Sequence, residues 1–200
     1  MASYRARIIT CALLGAVAVC IPASAAQCDD ELYGLADVSE AFRFEDYAVP
    51  AEKLSRPAPP VLATRDAREY RTALRQAAAK GPNFAGHFTI AVWGCGNACT
   101  DFGIVDTKSG KVFFVPDLRV ISTFKVVEPD NDEPEYTGLR FRADSRLLVV
   151  LGAPKEDEAR DGVAFYEWTG VELKSLRFMP RHEILAAVCG KTSPTARSAP

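Results

Sequence analysis

The segment that most constrains the fold is residues 83–99, NFAGHFTIAVWGCGNAC, in which an apolar run leads into a loop rich in glycine and cysteine. Between Phe84 and Trp93 the side chains alternate as in a β-strand, yet neither set of alternate residues is polar. A strand that is apolar on both faces is typical of a sheet covered on both sides. This pattern predicts a buried strand, with His87 and Trp93 pointing to the same, less apolar face.

One helix is predicted before this strand, over residues 64–80. Asp66 and Glu69 have the spacing of a capping box, and Tyr70 and Leu74 recur one helical turn apart. A Gly-Pro pair then ends the pattern. We expect Tyr70 and Leu74 to bury against the sheet and the arginines of the other face to be solvated. Those arginines are Arg65, Arg68, Arg71 and Arg75.

The chain after residue 100 is dominated by short apolar runs separated by turn residues, which indicates successive hairpins. The predicted strands are 102–106, 112–115, 118–127, 139–142, 147–151, 163–168 and 171–178. A short helix-like piece follows near residues 182–188. We therefore predict a mainly β, α+β fold, an antiparallel meander of about seven or eight strands with one packed N-terminal helix.

Residues 1–26 have the features of a signal peptide. Arg5 and Arg7 precede an apolar run over 8–21, and small residues up to Ala26 offer a cleavage site. The run is shorter than the roughly 20 residues that span a bilayer. The mature chain is therefore expected to be soluble, without a membrane span, and located in the periplasm or outside the cell.

The remaining chain is predicted to have three parts. Residues 27–63 contain several prolines and read as an irregular, weakly packed N-terminal arm. Residues 64–190 form a single β-rich globular domain, and residues 191–200 are a disordered tail of small and polar residues.

Charge excludes one class of partner. The chain of 200 residues has 24 basic and 26 acidic residues, and loss of Arg5 and Arg7 with the signal peptide lowers the basic count to 22 and the net charge from −2 to −4. Phosphate binding needs a basic surface, so the composition argues against nucleic acid as a partner.

Four of the six cysteines follow the predicted cleavage site. An even set in an exported chain favours two disulfides, and four cysteines allow three connectivities. We favour Cys95 with Cys99, as a clamp on the glycine-bearing loop. Cys28 with Cys189 would then join the two ends of the mature chain.

Two short segments resemble parts of β-propeller blades. Residues 106–112, DTKSGKV, look like a strand-turn-strand, and residues 141–148, FRADSRLL, look like the start of another blade. The chain has room for only about two four-stranded blades, so one chain cannot close a propeller of four or more.

A longer resemblance covers residues 81–176. The motifs NFAGHF at 83–88, WGCGNAC at 93–99, DTKSGKV at 106–112 and DSRLLV at 144–149 are similar to those of a family of small uncharacterised exported bacterial proteins with an N-F-A-G-H-[FY] … W-G-C-G-x-x-C signature. The resemblance implies export but no particular activity.

The residues of the loop after Trp93 are compatible with several kinds of chemistry. A metal site could combine His87, Cys95 and Cys99 with His182, but C-x-x-x-C is not the common zinc spacing. A thiol enzyme would need a free cysteine beside His87, and a thioredoxin-like redox site would need C-x-x-C. A purely structural role for His87 and Trp93 is the remaining alternative. The sequence implies no cofactor and no metal.

No complete catalytic motif is present in the chain. The leading hypothesis is an exported interaction or ligand-binding module for an unknown protein or small ligand, with the disulfide-clamped loop 93–101 as its site. The alternative is a small exported hydrolase that uses His87 with Asp101 or Asp106. The candidate binding residues are Asn83, His87, Trp93, Asn97 and Asp101.

Overall fold

A computed structural model describes residues 32–127 and 137–192, with side chains described up to residue 188. The predicted signal peptide, Cys28, the acidic loop 129–135 and most of the predicted tail lie outside these ranges, as does the side chain of Cys189. The expected Cys28–Cys189 disulfide therefore also lies outside the described residues.

The described ranges contain ten strands and three α-helices. The strands are β1 (Tyr33–Gly34), β2 (Phe88–Gly96), β3 (Cys99–Asp106), β4 (Val112–Phe113), β5 (Ile121–Ser122), β6 (Val126–Val127), β7 (Leu139–Phe141), β8 (Leu147–Pro154), β9 (Gly162–Trp168) and β10 (Leu173–Pro180). The helices are α1 (Arg65–Glu69), α2 (Arg71–Ala79) and α3 (Arg181–Thr192). Short 3-10 helices occupy Leu35–Ala41, Phe44–Tyr47, Pro116–Leu118 and Glu158–Arg160.

Eight strands form one antiparallel sheet in the order β10-β9-β8-β5-β3-β2, with β4 beside β3 and β7 beside β8. The separate pair β1 and β6 is parallel. The prediction of a mainly β, antiparallel α+β fold of about seven or eight strands is confirmed. The sheet ends at β2 on one side and at β10 on the other.

The two long hairpins are covered on both faces, as the apolar pattern of β2 predicts. Phe88 and Ile90 pack in a central cluster with residues of β8 such as Leu148. The other face of β2 and β3 packs against α2, where Leu74 is fully buried. The far face of β8 and β9 packs against α3 and the N-terminal arm. The molecule is thus layered, with helix α2 outside one end of the sheet and the arm outside the other.

The strand predicted over 84–93 begins later and ends later than expected. Phe84 and Phe88 exchange backbone hydrogen bonds of 3.0 and 2.9 Å across a tight turn, in which Ala85 has a φ of 44° and Gly86 a φ of 87°. His87 therefore lies in this turn, before β2 begins at Phe88. The prediction that His87 belongs to the strand is wrong.

The predicted helix is two helices with a break at Tyr70, whose φ of −93° and ψ of 19° are not helical. The N-cap is Thr64, whose Oγ1 accepts a hydrogen bond of 3.1 Å from the N–H of Ala67. The predicted capping box at Asp66 and Glu69 is wrong, because the Asp66 carboxylate accepts a hydrogen bond from Arg119 instead. The four arginines of the outer face are exposed, as predicted.

The N-terminal arm is irregular, as expected, but it is not weakly packed. Tyr33 is fully buried, and its hydroxyl donates to Asp161 Oδ1 at 2.6 Å and to the carbonyl of Gly162 at 3.0 Å. Further along the arm, the N–H of Ala58 donates to the carbonyl of Thr107 at 2.7 Å.

In the described ranges, none of the helices is both long enough and apolar enough to cross a membrane.

Candidate functional site

The hairpin of β2 and β3 places two of the predicted site residues, His87 and Asn97, at opposite ends, whereas Asn83 and Trp93 line one groove. Phe88 pairs with Asp106 at one end of the ladder, and Gly96 pairs with Cys99 at the other. At about 3.3 Å per residue, the two ends lie roughly 25 Å apart. His87 is at the first end and Asn97 is at the second, so they cannot contact one small ligand together.

His87 lies between two carboxylates at the first end of the hairpin. Its Nδ1 is 3.3 Å from Glu52 Oε1, and its Nε2 is 3.6 Å from Asp106 Oδ1. Lys108 forms an ion pair with Glu52 at 2.7 Å. These contacts tie the N-terminal arm to the turn before β2 and to the turn after β3.

The environment of these carboxylates favours their charged forms. The hydrogen bond from Lys108 is the main reason why the pKa of Glu52 lies below its usual value. Burial raises the pKa of Asp106, but hydrogen bonds from Ser109 and from backbone amides outweigh it and leave that pKa lowered. Ser109 donates to Asp106 at 2.6 Å, and among the described residues neither nitrogen of His87 has a hydroxyl or thiol partner. The cluster therefore resembles an anchor more than a nucleophile-base pair.

Asp101 is also part of an anchor. It is 1 % exposed, and both of its carboxylate oxygens accept from Arg119 Nε, at 2.8 and 2.7 Å. Burial lowers the pKa of Arg119, but hydrogen bonds and charge attraction from Asp101 and Asp66 outweigh it and raise that pKa. Asp101 is five residues from Asp106 on β3, or roughly 17 Å, so only Asp106 lies beside His87.

Trp93 is half-buried under α2. Its ring stacks on Tyr70 with centroids 4.4 Å apart and an interplanar angle of 18°, and its edge meets Phe114 at 6.3 Å. The Arg119 guanidinium lies 5.4 Å from the centre of the Tyr70 ring. The indole is thus held in one orientation by neighbours that are themselves fixed.

The Cys95–Cys99 disulfide is confirmed, with the two Cα atoms 5.1 Å apart. It does not clamp an irregular loop after Trp93 as predicted, because β2 continues to Gly96 and the disulfide crosses the hairpin just before its tip. Asn97 is exposed at that tip, and the next residue, Ala98, has a φ of 45°.

Asn83 has a specific structural role that was not predicted. Its side-chain amide donates to the carbonyl of Ile90 at 3.1 Å and accepts from the N–H of Ile90 at 2.8 Å. The side chain thereby imitates a neighbouring strand at one position of the β2 edge. The main chain of Asn83 also donates to the carbonyl of Phe88 at 3.0 Å.

The edge of β2 is open beyond this point. Backbone directions alternate along a strand, so the N–H and C=O groups of Val92 and Gly94 point outward like those of Ile90. Among the described residues these outward groups have no hydrogen-bond partner. Sequence analysis missed this feature, although the absence of charge from Phe88 to Gly96 was a usable signal.

A groove of about 640 Å³ lies beside this open edge, and we call it the edge groove. One wall is α2 and the other is β7, so the groove reaches around the edge of β2 onto both faces of the sheet. The residues that matter most for its shape and charge are Ala73, Gln76, Ala77, Lys80, Val92 and Phe141. Trp93 also lines it, and a smaller cavity of about 300 Å³ continues past Val92 and Trp93 toward the disulfide.

Within the described ranges, no three His, Cys, Asp or Glu side chains are grouped closely enough to hold a metal ion. No family model, curated protein or solved structure matches the chain.

Proposed function

We propose that this protein is an exported, soluble binding module and that its ligand occupies the edge groove. Export is supported by the signal-peptide pattern of residues 1–26. The Cys95–Cys99 disulfide is compatible with the oxidising compartment that export would provide. Of the predicted binding residues, Asn83 and Trp93 line this groove, whereas His87, Asn97 and Asp101 do not.

The observation that carries the proposal is the open stretch of β2 at Val92 and Gly94. Buried or half-buried backbone groups are nearly always hydrogen-bonded, and exposed strand edges are usually protected from further pairing. Here Val92 lines a groove with a volume typical of ligand sites, and Gly94 lines the smaller cavity that continues from it. A ligand that supplied hydrogen-bond partners in the groove would therefore be stabilised by them.

The walls of the groove are suited to apolar groups. Ala73 and Ala77 have short side chains that leave space beside α2, and Phe141 and Trp93 present aromatic surface. Trp93 is fixed by its stacking on Tyr70, so little side-chain entropy would be lost when a ligand contacts it. Rigid aromatic surface beside a few polar groups is typical of binding sites.

The proposal can be tested with small probes and isotope-labelled mature protein. N-acetyl-leucine methylamide carries an apolar side chain between two peptide groups, and indole carries aromatic surface without a peptide. Both are expected to bind at about millimolar affinity, and the amide chemical shifts of Val92, Gly94 and Gln76 should change most.

A matched pair of α2 variants provides the control. Gln76→Trp should fill the groove and abolish these shifts, whereas Arg75→Trp, on the exposed outer face one residue away, should leave them unchanged. Shifts that cluster instead around His87 or the hairpin tip, or that survive Gln76→Trp, would contradict the proposed site.

The hydrolase hypothesis is tested separately. If screening with ester and peptide substrates found a turnover that His87→Ala abolished while folding and probe binding stayed intact, the non-catalytic proposal would be wrong.

A further inference from the structure

We propose that the edge groove binds an extended peptide segment of another protein, which adds to β2 as an antiparallel strand and places a carboxylate beside Lys80. This inference rests on the proposed binding function and specifies its ligand class. It follows from the hydrogen-bonding pattern, the shape of the groove and the position of its charge.

The open backbone groups match an added strand. Val92 and Gly94 are two residues apart, so each outward N–H and C=O pair lies roughly 7 Å from the next along β2. A second strand presents its own N–H and C=O groups at the same spacing, and its backbone can satisfy all four groups at once. A compact small molecule has no comparable repeat of donors and acceptors.

The groove also limits how long the added pairing can be. At one end, the outward N–H and C=O groups of Ile90 are already hydrogen-bonded to the Asn83 side chain. At the other end, the ladder is irregular between Gly94 and Gly96. The regular pairing would therefore involve a short stretch of peptide, whose side chains alternate toward α2 and toward Phe141.

A second copy of this chain fits the groove less well than a single peptide. The β2 strand of a second copy would be covered by its own α2 on one face and by its own core on the other. Edge-to-edge pairing would have to bring those layers into a space already bounded by α2 and Phe141. A bare extended segment has no such layers.

Charge gives the peptide a direction. Among the described residues that line the edge groove and its neighbouring cavity, Lys80 is the one that carries a charge. It lies toward the beginning of β2, because Thr89 donates to the carbonyl of the adjacent Gly81 at 2.7 Å. In an antiparallel arrangement the carboxyl-terminal side of the peptide is at this end, so an acidic side chain or a terminal carboxylate should follow the apolar residues.

The test uses the mature protein and a phage-displayed library of random linear dodecapeptides. We expect enriched peptides to have alternating apolar residues followed by an acidic residue. Synthetic versions should then be methylated at one backbone nitrogen at a time. Because methylation removes a donor, affinity should fall at least about tenfold at alternate positions and change little at the positions between them.

Protein variants test the same contacts from the other side. Val92→Pro removes one outward N–H and should weaken the selected peptide at least about tenfold, whereas Val92→Ala should have a smaller effect. Lys80→Glu should weaken a peptide with the acidic residue but not the same peptide with the corresponding amide. Arg75→Glu, on the outer face of α2, should change neither.

The outcomes separate the two proposals. If peptides bind in competition with indole but methylation at every position is tolerated, or if no peptide is enriched although indole occupies the groove, strand addition is wrong and the binding site stands. If selected peptides bind Gln76→Trp as well as the natural protein, both proposals fail. If the free protein is a dimer that Val92→Pro dissociates, the occupant is a second copy and the peptide proposal is wrong.

Discussion

The two edges of the sheet are protected to very different extents. β10 carries Lys174 and Arg177 in an exposed stretch, and its pairing with β9 is interrupted by a bulge between Ser175 and Arg177. Charged side chains and bulges are common devices against strand addition. β2 has no charged residue between Phe88 and Gly96, and its ladder with β3 is regular as far as Gly94.

Among the described residues, the outward backbone groups in the first part of β2 have hydrogen-bond partners within the chain, whereas those of Val92 and Gly94 have none. The Asn83 side chain satisfies Ile90, and the turn from Phe84 satisfies Phe88. Of the next two outward positions, Val92 lines the edge groove and Gly94 lines the smaller cavity that continues from it. An edge left open by chance would not be expected to adjoin a groove with walls on both faces of the sheet.

The largest expected effect concerns α2, the helix that forms one wall of the edge groove and distinguishes the β2 edge from the β10 edge. Leu74 is fully buried between α2 and the sheet, so Leu74→Ala should lower the free energy of unfolding by about 2 to 4 kcal/mol. Leu176→Ala on the exposed β10 should cost less than about 0.5 kcal/mol. Urea unfolding of both variants measures the difference, and equal effects would mean that α2 is an appendage.

The disulfide should have the next largest effect. It links residues with a sequence separation of 4, and such a short loop should contribute about 2 kcal/mol to stability. The Cys95→Ser, Cys99→Ser double variant should lose this amount in urea unfolding. Non-reducing peptide mapping of the mature protein should find Cys95 joined to Cys99. Linkage of Cys95 to Cys28 or Cys189 would contradict the hairpin geometry.

A charge placed on the open edge should convert β2 into an edge like β10. A side chain at Gly94 meets no atom closer than 3.9 Å, so Gly94→Lys should be tolerated and should change stability by less than about 0.5 kcal/mol. Binding of a library-selected dodecapeptide should fall at least about tenfold. Ser175→Lys on β10 is the control, and an equal loss of binding there would remove the distinction between the edges.

The smallest expected effect is a pH dependence at the opposite end of the hairpin from the disulfide. The pKa of Asp106 is lowered on folding, so its contribution to stability is present above the unfolded pKa of about 3.9 and is lost as pH falls through the folded value. Asp106→Asn should remove this part of the acid destabilisation, by less than about 1 kcal/mol. Peptide binding at neutral pH should be unaffected, because the groove is distant from His87.

The features that sequence analysis predicted correctly depend on local patterns. The burial of Leu74 follows from helical spacing, and the coverage of β2 on both faces follows from its uninterrupted apolar composition. The Cys95–Cys99 disulfide follows from proximity in the chain.

The features that it missed depend on contacts between distant residues. The turn at Phe84 requires a positive φ at Ala85, which alanine does not favour, and backbone contacts with residues 142–145 accompany it. Asp66 does not cap its helix because Arg119, far along the chain, binds its carboxylate. Likewise, β2 is an edge strand only because of the order in which the strands pair, and no local pattern specifies that order.

Residue-resolved amide hydrogen exchange of the free and peptide-bound mature protein tests the central claim most directly. If the edge is open, the amides of Val92 and Gly94 should exchange about 100-fold faster than those of Ala91 and Trp93, which point toward β3. Saturation with a library-selected dodecapeptide should protect Val92 and Gly94 without changing β10. Protection of Val92 and Gly94 already in the free protein, or no gain of protection when the peptide is bound, would contradict the account.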